Sequence, residues 1–206
     1  MTEEQNKYLK LARRAREEDN TEDAKKFYDM VRTDDPDNAE ARYFYAYYKM
    51  MDGKKIEVYG NYVDLLNVIL PVVKSIAKSE SDNEEKAKLL KDIFENFKDL
   101  PLMVNRSLND LSRTFQNSGY GSKIRDAGVR SIKMFYDLGD LIESEFNGIL
   151  FKNLAVEAWK AGVYRQQQWY GMGVDKTLPE TYTAKIQKVD ASYTMPAKAG
   201  CISFAK

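Results

Sequence analysis

The sequence contains no histidine and only one cysteine, Cys201. Without histidine, neither a Ser/His/Asp nor a Cys/His nucleophile system can be built, and the usual imidazole ligands of zinc are missing. A single cysteine excludes an internal disulfide and any cysteine-cluster metal site. We therefore expect no catalytic site, no metal site and no cofactor. The chemical alternative for an enzyme is acid–base work, or Mg²⁺ or Ca²⁺ binding, by carboxylates.

A net charge is also lacking, because 32 Lys and Arg residues balance 32 Asp and Glu residues. A neutral chain has no long-range field that would concentrate it on nucleic acid or on an anionic membrane, so we expect neither as a partner. No segment runs for about 18 apolar residues without a charge, and residues 1–10 contain no apolar signal-peptide core. These features favour a soluble protein of the cytoplasm.

The apolar residues near the start of the chain recur at helical spacing, i, i+3, i+4 and i+7. Polar breaks at residues 19–21 and 33–38 separate three such helices, and Asp37 with Glu40 forms the pattern of a capping pair at the start of the third. The stripes consist of Tyr8, Leu11, Ala12 and Ala15; of Ala24, Phe27, Tyr28 and Val31; and of Ala41, Phe44, Tyr45 and Tyr48.

This part of the chain resembles the tetratricopeptide (TPR) family, whose 34-residue repeat spaces a large aromatic residue, Leu, a small residue, Ala, an aromatic residue and Pro along two helices. The matching positions, in order, are Tyr8, Leu11, Ala12, Ala24, Tyr28 and Pro36. A second repeat begins with Tyr45 and Ala46 but has Arg42 at the position of its large aromatic residue. The resemblance covers one repeat and a following helix, about a quarter of the chain.

In TPR proteins the first helix of each repeat lines a concave groove that binds a peptide or a partner helix. Carried over by motif position, the resemblance implies a partner-binding face, which we name the predicted groove. It consists of Asn6, Leu9, Arg13, Arg16, Tyr43, Tyr47 and Met50. The Lys/Asn pattern with which some TPR proteins clamp a peptide C-terminus is not matched, since Leu9 and Arg13 stand in those places.

The residues on the third helix have a second interpretation. Tyr43, Tyr47 and Met50 would then pack against the long helix that follows Gly53, because an incomplete repeat has to be covered by neighbouring helices. Both interpretations are left open by the sequence.

Beyond the repeat, long apolar stripes predict an all-α bundle. We expect a helix from Ile56 that Pro71 kinks or splits near Asn67, a helix opened by Ser81 and Glu84, a break at Pro101, and a turn at 117–122. Gly128 and Gly139 suggest close helix contacts in the next helix. The expected domains are a TPR-like region at 1–52, a helical bundle at 53–171, and a short helix with an extended, mostly irregular tail at 172–206.

Three further features are interpreted as structural. The basic residues Lys123, Arg125, Arg130 and Lys133 are interrupted by Asp126 and Asp137 and fit a solvated helix face. The acidic residues Asp140, Glu143, Glu145 and Glu157 fit ordinary surface acids. The tail ends in apolar residues at 201–204, which we expect to dock on their own bundle beside Trp159, Tyr164, Trp169 and Tyr170; docking on a neighbouring molecule or a reactive thiol at Cys201 are the alternatives.

The function hypothesis from these observations is protein–protein interaction, as a scaffold or adaptor that holds a protein or peptide in the predicted groove. A small-ligand or sensor protein is the first alternative, and a carboxylate-dependent enzyme the second. Self-association through apolar helix faces is left open.

Overall fold

The computed structural model describes residues 3–116, 119–169 and 171–199, and regular structure within these ranges is helical, with no strand. The prediction of an all-α protein is confirmed. The helices are α1 (Glu3–Glu17), α2 (Thr21–Asp34), α3 (Ala39–Met51), α4 (Val58–Lys78), α5 (Asn83–Phe97), α6 (Leu100–Phe115), α7 (Gly119–Glu145), α8 (Ile149–Gln168) and α9 (Leu178–Gln187). A short 3-10 turn, Lys55–Glu57, precedes α4.

The chain divides into two compact units, Met1–Leu89 and Leu90–Lys206. This division differs from the predicted boundary after residue 52. The physical reason is that α4 packs along α3 and so completes the first unit, whereas the sequence pattern groups α4 with the later long helices.

In the first unit, each of the first four helices packs on the next one in the chain: α1 on α2, α2 on α3, and α3 on α4. Small residues at the contacts let the helices approach closely, since Ala12, Ala24 and Ala41 have no exposed surface. The large rings of Tyr28 and Phe44 are fully buried and stack with their centroids 5.2 Å apart. Apolar burial of this kind is the main stabilising contribution to a helical array.

Helix starts in this unit are capped by residues other than the predicted ones. The Asn38 side chain accepts a hydrogen bond from the Ala41 backbone N–H at 3.0 Å, so the predicted pair of Asp37 and Glu40 does not cap α3. The Glu40 side chain is instead buried in the first unit, where it accepts hydrogen bonds from Arg13 and Tyr28. At α5 the cap is Asp82, which accepts from the N–H groups of Glu84 and Glu85, and Ser81 does not have this role.

Helix α4 continues through Pro71, so of the two predicted outcomes, a kink or a split near Asn67, the split is wrong. Pro71 is exposed, and the neighbouring Ile69, Val72 and Val73 are fully buried, so packing on one face holds the helix together across the proline. Within the described residues, the segment Lys55–Lys78 has the length and composition that could cross a membrane. The buried core helix of a water-soluble protein can have the same length and composition, so these two properties do not identify a membrane span.

In the second unit, α7 packs against α6 and α8, and α9 packs against α8. Pro101 lies in the first turn of α6, which confirms the predicted break there. The predicted turn at 117–122 is wrong from Gly119 onward, because Gly119 already begins α7, while residues 117 and 118 lie outside the described ranges.

The close contacts predicted at Gly128 and Gly139 are confirmed. A Cβ at Gly139 would overlap the indole ring of Trp159 and lie 2.9 Å from the Ala155 carbonyl oxygen. A Cβ at Gly128 would overlap the Met172 sulfur. At Gly139 only glycine lets α7 approach α8 so closely, because a ring and a backbone oxygen occupy the space of a Cβ.

The described part of the C-terminal segment is irregular after α9 and lies against α8. Asp190 pairs with Lys160 at 3.1 Å, and the Ala199 backbone N–H donates to the Gln167 carbonyl at 3.1 Å. On α9, Gln187 donates from Nε2 to the Tyr193 carbonyl at 3.0 Å. Tyr170 and the apolar end at 201–204, including Cys201, lie outside the described residues.

Candidate functional site

The predicted groove divides into buried and accessible residues. Leu9, Tyr43 and Met50 are 5%, 0% and 3% exposed, so they are part of the packed interior of the first unit. Arg13 is exposed, and Arg16 and Tyr47 are half-buried. The Asn6 side chain lies outside the described part of the chain. The surface available to a partner is therefore centred on Arg13, Arg16 and Tyr47.

Arg13 is held in place by a buried carboxylate on α3. Its Nε atom donates to Glu40 at 3.0 Å and its Nη2 atom donates to Glu40 Oε2 at 2.5 Å, so the guanidinium binds the carboxylate with two groups. Tyr28 of α2 donates its hydroxyl hydrogen to Glu40 Oε1 at 3.0 Å. The Glu40 side chain is 8% exposed and that of Arg13 is 52% exposed. The hydrogen bond between Arg13 and Glu40 raises the pKa of Arg13, which keeps the guanidinium charged at the surface.

Arg16 lies one turn further along α1 and covers an aromatic ring of α3. Its guanidinium carbon is 4.3 Å from the centroid of Phe44, a cation–π distance. Both arginines are thus oriented by residues of α3, and their accessible surfaces belong to side chains that have already lost much of their rotational freedom.

Tyr47 belongs to a continuous aromatic cluster. Its ring stacks on Tyr43 at 6.2 Å and meets Tyr48 edge-on at 5.2 Å. Phe44, the ring under Arg16, lies 6.5 Å from Tyr47. Burial raises the pKa of Tyr47, and it raises the pKa of Tyr48 to about 12. Both tyrosines are therefore neutral near pH 7, and the half-buried Tyr47 offers its ring and hydroxyl group for contact.

Three of the four acidic residues that the sequence pattern groups together, Asp140, Glu143 and Glu157, pair with lysines of the second unit. Asp140 of α7 accepts hydrogen bonds from Trp159 Nε1 at 3.0 Å, from the Tyr182 hydroxyl at 2.7 Å and from Lys185 Nζ at 2.8 Å. Glu143 lies 3.3 Å from the same lysine, and Glu157 pairs with Lys160. Within the described residues, no group of three or more Asp, Glu, His or Cys residues has the arrangement of a metal site.

The Asp140 carboxylate anchors α9 through Tyr182 and Lys185. Tyr182 stacks on Tyr136 of α7 with ring centroids 4.1 Å apart, and burial raises the pKa of both tyrosines. Lys185 lies 4.7 Å from the Trp159 ring centroid. The Asp140 carboxylate accepts hydrogen bonds from three side chains that hold helices together, so its geometry favours a structural role.

The basic residues of α7 also have local partners. Arg130 pairs with Asp126 at 2.6 Å, and the Lys123 ammonium lies 5.0 Å from the Tyr120 ring centroid. Arg125 and Lys133 are exposed. An i, i+4 ion pair on a helix surface is typical of a solvated face.

A pocket of about 170 Å³ lies where α8 ends, between the following turn and the start of α9. Its wall contains Gln167, Trp169, Met172 and Glu180 among other residues. Gly171 and Gly173 have φ angles of +98° and +93°, which glycine adopts without strain, and these fold the turn around the pocket. Sequence reasoning missed this pocket; the two glycines and Trp169 were its only local signal, and they also fit a simple helix end.

Comparison of the chain with protein-family models, with curated proteins and with solved structures gives no match. The functional argument therefore depends on the residues and contacts of this chain.

Proposed function

We propose that the protein is an interaction module that holds a protein or peptide partner against α1 and α3, in the manner of a TPR-like groove. The observation that carries the proposal is the pair of oriented arginines on α1 together with the half-buried Tyr47 on α3. Arg13 is bound by Glu40, Arg16 is stacked on Phe44, and Tyr47 is supported by Tyr43 and Tyr48.

Oriented side chains favour binding because less conformational freedom is lost when a partner arrives. Arginine and tyrosine are also the residue types that most often dominate interface energetics. The helix order supports the proposal as well: α1 to α4 pack consecutively, which is how helical repeats build an extended face.

The partner chemistry follows from the accessible groups. Two guanidinium groups favour a carboxylate-bearing segment, and the Tyr47 ring favours an apolar or planar group next to it. An acidic peptide or helix with an apolar residue near its carboxylates fits this surface. Catalysis is not included in the proposal.

The test is affinity capture from native lysate with mass spectrometry, followed by titration of any captured partner. A simple Arg13→Glu change is unsuitable, because it places a second carboxylate beside buried Glu40. We use Tyr47→Ala and the double variant Arg13→Leu with Glu40→Gln, which removes both charges of the pair. Arg14→Glu is the matched control, since Arg14 neighbours Arg13 but pairs with exposed Glu18.

We expect a partner that binds the unmodified chain and the Arg14→Glu control, and whose affinity falls about thirtyfold on Tyr47→Ala. Circular dichroism checks that each variant is folded. Retention of the partner by both groove variants would move the binding site away from α1 and α3, and the proposal would then be wrong.

A further inference from the structure

The connection between α7 and α8 contains an asparagine followed directly by a glycine, Asn147 and Gly148. No other asparagine in the sequence precedes a glycine. Both residues are exposed, and they lie between Glu145, the last residue of α7, and Ile149, the first residue of α8. Exposed connections of small and polar residues are the places where a chain is most open to chemical change.

The backbone hydrogen bonds on either side of this pair leave its reactive groups out. The Phe146 N–H donates to the Ile142 carbonyl at 3.1 Å, and the Lys152 N–H donates to the Gly148 carbonyl at 3.1 Å. Between them, neither the Gly148 N–H nor the side-chain amide of Asn147 makes a hydrogen bond to another described residue. The two groups are therefore available to each other.

The space around Gly148 is open as well. Its φ angle is +111°, a backbone conformation that glycine adopts without strain. No atom lies within 4 Å of the position that an added Cβ would occupy. Neither a side chain at Gly148 nor a neighbouring residue at that position obstructs the approach of the Asn147 side chain to the Gly148 nitrogen.

This arrangement permits an intramolecular reaction between the two groups. A bond forms between the Gly148 backbone nitrogen, which loses its proton, and the Cγ carbon of Asn147. The bond from Cγ to the side-chain nitrogen breaks, and that nitrogen leaves as ammonia. Water then opens the cyclic imide at either of its two carbonyl carbons, and the product is an aspartate or an isoaspartate at position 147.

We propose that Asn147 is a site of spontaneous deamidation in the folded protein. The reaction adds one negative charge to a chain whose formal net charge is zero. The new carboxylate lies near the N-terminus of α8, where the helix dipole favours it, and near the C-terminus of α7, where the dipole disfavours it. The two effects oppose each other, so the modified protein keeps its fold and accumulates. The site belongs to the second unit and does not depend on the predicted groove.

The test is incubation of the full chain at neutral pH and physiological temperature. Samples are separated by isoelectric focusing and mapped by mass spectrometry of their peptides. We expect an acidic form that differs by one charge, one ammonia released per converted chain, and both aspartate and isoaspartate at position 147, with unchanged circular dichroism. The conversion should become faster as the pH is raised, because the Gly148 nitrogen attacks after it has lost its proton.

Two controls assign the reaction to this residue. Asn147→Gln keeps an exposed amide but lengthens the side chain, so ring closure is less favourable and the acidic form should be absent. Asn153 is an internal control, since it is an exposed asparagine of α8. The next residue, Leu154, has a side chain and a helical backbone, so we expect no conversion of Asn153 while Asn147 reacts.

A comparison with the urea-unfolded chain tests the structural part of the proposal. Because no hydrogen bond holds the Gly148 N–H, we expect Asn147 to convert at similar rates in the folded and the unfolded chain. Four results would each overturn the proposal: no acidic form, an acidic form that persists in Asn147→Gln, conversion of Asn153 as fast as that of Asn147, or conversion that folding suppresses.

Discussion

Glu40 joins three helices of the first unit through a single carboxylate. It belongs to α3, accepts hydrogen bonds from the Nε and Nη2 atoms of Arg13 on α1, and accepts the hydroxyl hydrogen of Tyr28 on α2. A buried carboxylate needs such partners, since an unpaired one is strongly destabilising. Because Arg13 is half exposed, the same contact also presents a fixed positive charge to solvent.

Substitution of Arg13 by alanine is therefore expected to destabilise the protein. The change leaves Glu40 buried with Tyr28 as its remaining partner, and we expect the free energy of unfolding to fall by about 2 to 4 kcal/mol. Urea unfolding monitored by circular dichroism measures the effect.

The adjacent Arg14→Ala variant is the control for this prediction. Arg14 also pairs with a glutamate, but its partner Glu18 has an exposed side chain, so we expect no measurable change. Equal effects of the two substitutions would contradict the structural role assigned to Glu40.

At the scale of helices, the second unit depends on how closely α7 approaches α8. Gly139 faces the Trp159 indole and the backbone of Ala155, whereas Gly121, in the first turn of the same helix, has no atom within 4 Å of an added Cβ. One helix thus contains a glycine required by packing and a glycine that packing does not require.

The two glycines are expected to respond to alanine in opposite directions. Gly139→Ala should destabilise the protein by about 1 to 3 kcal/mol or more, because the new Cβ overlaps a fixed ring and a backbone oxygen. Gly121→Ala should stabilise it by up to about 1 kcal/mol through the higher helix propensity of alanine. Thermal unfolding of the two variants measures both effects, and destabilisation by Gly121→Ala would show that its surroundings are not open.

At the scale of the whole molecule, both units bury tyrosines. Burial raises the pKa of Tyr28 and Tyr48 in the first unit, and of Tyr136 and Tyr182 in the second. Each of these rings is neutral in the folded protein at a pH at which a solvated tyrosine would have lost its proton.

This difference predicts a loss of stability in alkali. Below pH 10, Tyr48 is neutral in both the folded and the unfolded state, so its contribution is complete. Between pH 10 and about 12 the unfolded tyrosine ionises while the folded one does not, so the free energy of unfolding falls as the pH rises. Urea unfolding at a series of pH values, with tyrosinate absorbance, measures this change.

Tyr48→Phe should reduce the pH dependence, because it removes one ionisable group from the interior. Tyr164→Phe changes an exposed tyrosine and should leave the dependence as it is. A pH dependence that Tyr48→Phe does not alter would contradict the role of this residue.

Helical periodicity in the sequence is sufficient to predict an all-α protein, the first three helices and the close contacts at Gly128 and Gly139, because these depend on local spacing and on residue size. The candidate site was only partly predictable. Periodicity placed Arg13 and Tyr47 on their helix faces and left open whether Tyr43 and Met50 are buried. It did not reveal that Leu9 is buried, since burial depends on which helix covers a face.

The amino-acid sequence by itself determined the fold class, the order of the helices and the lack of histidine and cysteine-cluster chemistry. Only the tertiary structure decided that Glu40 binds Arg13 rather than caps α3, that α4 completes the first unit, and that Gln167 stands beside a pocket. Arg13 and Glu40 are 27 positions apart. A local pattern reports the preferences of one helix, whereas such pairings arise only when separate helices pack against one another.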